Sequence, residues 1–212
     1  MTPPIFCGIL NHVGRFSENT STGSRPLKKT EVSQMKHFFT TKRLCRAGII
    51  AALYVALTYA FAPLAYGPFQ IRPAEAFCIL PLFFPEAIPA LYIGCMLSNL
   101  ASPYFFYDVF IGSLATLLAA FSSYMVGRFI KKEPLRLIIG GFFPVAFNAL
   151  IIPLIIVFLC GGAEGYSSAA IAYFAFMGSI ALTEAVWIYG LGTPLYFTLK
   201  RLQKRNDFDF FR

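Results

Sequence analysis

Apolar residues fill this chain in runs long enough to cross a bilayer, and the few polar residues inside those runs stand out for that reason. Arg72, Glu75, Asn99, Asp108, Asn148 and Glu184 lie in or beside stretches of Leu, Ile, Phe and Ala. Even on a lenient insertion scale, a charge at the bilayer centre costs about 2.5–3.5 kcal/mol. Such residues persist where they face a bundle interior, a partner or a substrate. Overall, 57% of residues are hydrophobic and 13% charged, against about 25% charged in ordinary soluble domains. The chain therefore reads as an all-α, polytopic membrane protein.

Basic residues decide how often it crosses. Three clusters flank apolar spans: Lys42, Arg43 and Arg46; Arg128, Lys131, Lys132 and Arg136; Lys200, Arg201, Lys204 and Arg205. Cytoplasmic loops are enriched in Lys and Arg. All three clusters share one side only if an even number of spans separates each pair. The ambiguous block at 74–100, broken by Pro81, Pro85 and Pro89, then counts as two spans. That choice puts 17 of the 18 Lys and Arg on the cytoplasmic side, with Arg72 the exception. The result is a six-helix bundle with helices near 42–62, 73–84, 86–100, 108–127, 135–160 and 168–200 and both termini cytoplasmic. The second helix is too short to cross alone, so it must be buried in the bundle or extended by the preceding loop.

The domain plan is a disordered extension at 1–41, a membrane domain at 42–202 and a cytoplasmic tail at 203–212. The extension is polar and basic, and Met35, just before the basic lead-in to the first span, is expected to be the natural start. The net charge of +8 is explained by topology, with no nucleic-acid partner. Cys7, Cys45, Cys78, Cys95 and Cys160 form no Cys-x-x-Cys pair, and five is an odd number, so they read as free thiols. The two histidines, His12 and His37, fall in the extension, and no phosphate-binding loop is present. A His-dependent hydrolase, a His-ligated zinc enzyme and an ATPase are thereby disfavoured. No catalytic residue, metal site or cofactor is expected.

Each intramembrane polar residue has two readings. Arg72 and Glu75, three apart, pair with each other or meet a ligand. Asp108 caps the fourth helix or lines a cavity. Asn148 joins two helices or adds a hydrogen bond to a ligand. Glu184 has no basic residue within a helical turn. Glu86 reads as a solvated turn. With Glu164 in an outer loop, one positive charge (Arg72) faces four negative ones (Glu75, Asp108, Glu164, Glu184), a sum of −3 that suits a cationic ligand. Tyr104, Phe105, Phe106 and Tyr107 offer stacking faces. Pro144 and Pro153 free the carbonyls of Gly140 and Ala149, either as kinks or as cavity-lining groups. On the first helix Gly48, Ala52, Ala56 and Ala60 recur every four residues. Such a stripe packs within the bundle or docks a separate membrane subunit.

Several pieces stand in a telling order: Ala51–Thr58 (AALYVALT), Ile71–Ala76 (IRPAEA), Leu80–Ile88 (LPLFFPEAI), Gly94–Leu100 (GCMLSNL), Ser102-Pro103, Asp108, Gly112–Leu117 (GSLATL), Glu184-Ala185 and Gly192–Leu195 (GTPL). In this order they resemble the QueT family of queuosine-precursor binding subunits (S-components) of energy-coupling-factor (ECF) transporters. The resemblance implies an S-component bundle with a cavity at its outer side, in the plasma membrane. It implies partners: an ECF transmembrane coupling subunit docking on Gly48, Ala52 and Ala56, and two ECF ATPases. It implies a 7-deazapurine substrate such as 7-aminomethyl-7-deazaguanine, flat and cationic. Glu184 or Glu75 would then read the guanine edge and Asp108 the ammonium. Asn99 and Asn148 would add hydrogen bonds, and Arg72 would orient Glu75 or a loop. The alternatives are a solitary transporter in which Glu184 carries a proton, and an S-component for another vitamin.

Overall fold

The computed structural model describes residues 40–66 and 70–204. Residues 1–39 of the expected disordered extension, with the Met35 start, and residues 205–212 of the expected tail lie outside the described residues. Helix α1 is Thr41–Ala60, and a single helical turn at Ala62–Ala65 follows it. Then come α2 (Pro73–Leu82) and α3 (Ala87–Ser98). The longer α4 (Phe105–Phe129) and α5 (Glu133–Leu159) follow, and α6 (Ala169–Gly190) and α7 (Gly192–Lys204) close the fold. No strand occurs among the described residues. Four stretches are long and apolar enough to cross a membrane: α1, α4, α5 and α6 with α7. The two shorter apolar segments are α2 and Ala87–Ala101. They occupy the block that charge placement divides in two.

The exterior is apolar. Ile49 and Leu53 on α1, Leu114 and Phe121 on α4, Leu150 and Leu154 on α5, and Leu182 and Val186 on α6 are all exposed. In water such a surface would drive association; around a bundle in lipid it is the expected outer coat. The chain is a multi-pass membrane protein.

Helix α2 is the central rod. Nine of its ten residues are buried, with Phe77 the exception, and it touches α1, α3, α4, α5, α6 and α7. It is a 3₁₀-helix, unusually long for that geometry. Pro81 inside it has no N–H for an α-type bond and crowds the carbonyl four residues back. At about 2.0 Å per residue, ten residues make a rod much shorter than a bilayer core of about 30 Å. It is enclosed by the bundle.

Close approach at the end of α2 requires glycine. A Cβ on Gly127 of α4 would sit 2.8 Å from the Leu82 carbonyl oxygen, and one on Gly140 of α5 would sit 2.8 Å from the Leu82 side chain. Arg136 donates to the Leu82 carbonyl, capping the rod. Its guanidinium lies 5.4 Å from the centre of the Phe83 ring. Beside it, Arg46 of α1 meets Glu86 at 2.6 Å and stacks 4.8 Å from the centre of the Phe84 ring. Glu86 is therefore buried in an ion pair, which corrects its reading as a solvated turn. Its partner comes from forty residues away. Lys200 of α7 pairs with Glu133 of α5. These contacts bring residues from all three basic clusters to one end of the bundle, called here the basic end.

Proline explains two further details. The Gly140 carbonyl released by Pro144 accepts from Ser123 Oγ on α4 at 2.7 Å. It is therefore used for packing, which removes it as a cavity-lining group. The single long sixth helix expected from sequence is interrupted at Leu191, between α6 and α7. Pro194 there denies Gly190 its helical partner.

Candidate functional site

At the opposite end of α2, the chain buries charges that the packing does not neutralise. Arg72 precedes the rod, and Glu75 occupies its first turn. Glu75 Oε1 accepts from the Tyr54 hydroxyl of α1 at 2.5 Å, and Oε2 accepts from the Cys78 thiol at 3.1 Å. Arg72 Nε donates to the Ala65 carbonyl at 3.3 Å, and the guanidinium lies 5.5 Å from the centre of the Tyr66 ring. Arg72 and Glu75 make no direct ion pair among the described contacts, which corrects the simple pairing reading.

Asp108 does not begin α4. The helix starts at Phe105, and Asp108 opens a π-helical stretch, Asp108–Gly112, within it. The N-cap of α4 is Tyr104, so the capping reading is corrected too. The carboxylate accepts from Ser102 Oγ instead. Asn99 Nδ2 donates to the Asp108 carbonyl at 2.8 Å. π-Helical turns recur at functional sites because they re-aim side chains. On the other flank, Asn148 Nδ2 of α5 donates to Glu184 Oε1 of α6 at 3.1 Å.

These residues form one cluster. Glu184 lies within electrostatic reach of Glu75 and Arg72, and Arg72 lies within reach of Asp108, Glu75 and Tyr54. Asn99 and Asn148 join through their bonds to Asp108 and Glu184. The structure thus brings together all six polar residues singled out in the sequence: Arg72, Glu75, Asn99, Asp108, Asn148 and Glu184. Each is at least nine-tenths buried.

The cluster's formal charge is −2, from one guanidinium and three carboxylates. Glu164 is exposed in its loop and drops out of the sum of −3. Phe105 and Phe106 are also exposed, so of the aromatic loop only Tyr104 and Tyr107 pack inward, against the α5 and α6 core. Four buried atoms in the cluster have no hydrogen-bond partner: Arg72 Nη2, Asn99 Oδ1, Asp108 Oδ1 and Glu184 Oε2. Buried polar groups are almost always satisfied, so four in one place call for a reason.

Sequence reading missed Tyr54, Cys78, Ser102 and Tyr66. Tyr54 is one of 11 tyrosines, and nothing local marks it. Its signal is positional: a fully buried hydroxyl needs a partner, and Glu75 is twenty-one residues away. No group of His, Cys, Asp and Glu among the described residues could hold a metal ion.

A family profile described as QueT transporter matches residues 44–201. The chain belongs to the QueT transporter family. A curated relative, "Queuosine precursor transporter QueT" from Lactococcus lactis subsp. cremoris (strain MG1363), is 42% identical over 72 residues. That alignment covers 33% of this chain and 42% of the relative, so the chain spans less than half the length of the curated relative it matches. No solved structure matches. The matched region of the QueT family profile contains every residue of the cluster and all of the exposed stripe on α1. That stripe faces away from the bundle: Gly48, Ala52, Ala56 and Ala60 are exposed, and a Cβ on Gly48 would meet nothing within 4 Å.

Proposed function

We propose that this QueT-family chain is the substrate-capturing membrane subunit of an ECF-type importer, binding a queuosine precursor of the 7-deazapurine class from outside the cell. The observation that carries the reading is the cluster itself: three carboxylates, one guanidinium and four unpartnered buried atoms in a family of transporters. A formal charge of −2 favours a cationic ligand such as 7-aminomethyl-7-deazaguanine. The guanine edge supplies N–H donors for carboxylates, which only accept when ionised. The name of the L. lactis relative points to the same substrate class.

In this reading the chain is not the ATPase. Gly48, Ala52 and Ala56, exposed on α1 beside Ile49 and Leu53, are the docking face for the transmembrane coupling subunit, because small residues let helices approach closely in lipid. Two ATPases complete the importer. The basic end faces the cytoplasm, an orientation that leaves both chain termini on the cytoplasmic side, and the chain resides in the plasma membrane.

The test is a titration followed by the fluorescence of Trp187, the only Trp, which lies three residues from Glu184 on α6. Saturable quenching or enhancement by 7-aminomethyl-7-deazaguanine is expected, and no response to any 7-deazapurine contradicts the reading. Uptake should also vanish in cells lacking the coupling subunit and the ATPases. Uptake retained there would make the chain a solitary, proton-coupled transporter instead.

A further inference from the structure

We propose that the two buried glutamates divide the labour: Glu184, with Asp108, Asn99 and Arg72, touches the ligand, whereas Glu75 is a positioning residue held by Tyr54 and Cys78. This rests on the cluster being a 7-deazapurine site. The argument is which atoms are already engaged. Both oxygens of Glu75 accept a bond within the protein, from Tyr54 at 2.5 Å and from Cys78 at 3.1 Å. Glu184 is engaged at Oε1 alone, by Asn148, and its Oε2 has no partner. Asp108 is engaged on one oxygen by Ser102 and is empty on the other. Asn99 spends its amide N–H on the Asp108 backbone and leaves Oδ1 empty. Arg72 spends Nε on Ala65 and leaves Nη2 empty.

Three empty acceptors and one empty donor describe the complement of a ligand that is rich in N–H groups and carries one carbonyl. A deazaguanine has that edge: a ring N–H and a 2-amino group beside a 6-oxo group. Arg72 lies within electrostatic reach of Glu184, which matches the adjacency of carbonyl and N–H on that edge. The empty Glu184 Oε2 takes the 2-amino donor, and Arg72 donates to the 6-oxo oxygen. Asp108, near the turn that begins α4, takes the ammonium of a 7-aminomethyl group. Tyr54 and Cys78 hold the Glu75 charge where it keeps Arg72 extended toward the ligand. Tyr54 belongs to α1, so this contact also ties the helix with the exposed stripe to the site.

The test uses the full chain purified in detergent, calorimetric titration and three ligands: 7-aminomethyl-7-deazaguanine, 7-deazaguanine and 7-deazahypoxanthine, which lacks the 2-amino group. Wild type should prefer 7-deazaguanine to 7-deazahypoxanthine by about tenfold or more, because a site built for a donor rejects its absence. Glu184→Gln should shrink that preference to within about twofold. Glu75→Gln and Tyr54→Phe should weaken both ligands by the same factor and keep the ratio while the unliganded variants remain fully folded at the titration temperature, since a loss of folded protein would also scale both affinities equally. As a second, independent variant, Asp108→Asn should erase the advantage of the 7-aminomethyl compound over 7-deazaguanine. The division is overturned if Glu75→Gln erases the 2-amino preference while Glu184→Gln keeps it, or if Asp108→Asn leaves the aminomethyl advantage intact. Wild type that binds none of the three overturns the function reading itself, a distinct outcome that takes this division with it.

Discussion

At the basic end of the bundle, Arg46 and Glu86 meet at 2.6 Å, one cation to one anion, with the Arg46 guanidinium stacked on Phe84. At the other end of the same central helix, one guanidinium faces three carboxylates, and four buried atoms go without partners. Both sites carry the desolvation cost of buried charge. The first recovers much of it through its own ion pair and so belongs to the folded architecture. The second recovers less from the protein, because one guanidinium stands against three carboxylates. Unpartnered atoms alone do not distinguish the two, since Glu86 Oε2 and Arg136 Nε at the basic end also lack a hydrogen-bond partner; the difference lies in the balance of charge, one to one against one to three.

Breaking the basic-end pair should have the largest effect on stability. Arg46→Met leaves Glu86 buried without its cation, and about 3–5 kcal/mol should be lost. Thermal unfolding in detergent measures this, and adding Glu86→Leu to the same protein should restore most of the loss. A single variant as stable as wild type would show that the pair is not structural.

Next in size, Gly127→Ala should cost about 1–3 kcal/mol through overpacking, since its Cβ would press on the Leu82 carbonyl oxygen at 2.8 Å. Gly48→Ala, in open space, should leave stability unchanged or raise it by up to about 1 kcal/mol. Equal effects at the two glycines would remove the claim that α2 is seated by close approach. Ser123→Ala should cost about 1–3 kcal/mol by stranding the Gly140 carbonyl. Unfolding of that variant at the wild-type temperature would mean that another donor replaces the hydroxyl.

The rarity of polar residues in apolar runs makes the buried polar cluster legible in the sequence. Any polar side chain in such a run needs a reason to be there, and Arg72, Glu75, Asn99, Asp108, Asn148 and Glu184 share one place. The short second helix was legible because three prolines break the block at 74–100 and the placement of the basic clusters favours counting it as two spans. What sequence hid is non-local. Glu86 looks like a turn residue until Arg46, forty positions earlier, is seen beside it. Asp108 looks like a cap until α4 is seen to start at Phe105. Tyr54 looks like any helical aromatic until its hydroxyl is found on Glu75. The stripe on α1 had two equal readings, and only its exposure separates a face turned outward from one packed inward.

The smallest expected effect on folding is also the most informative. Thermal unfolding of wild type and Glu184→Gln, each with and without saturating 7-aminomethyl-7-deazaguanine, compares stability and ligand capture in one measurement. The ligand should raise the wild-type unfolding temperature, since it binds the folded state alone. Glu184→Gln should unfold at the wild-type temperature or slightly above it without ligand, and should lose most of the ligand-induced rise. A variant that unfolds far below wild type yet keeps the full rise would contradict the account, because Glu184 would then serve the fold and not the ligand.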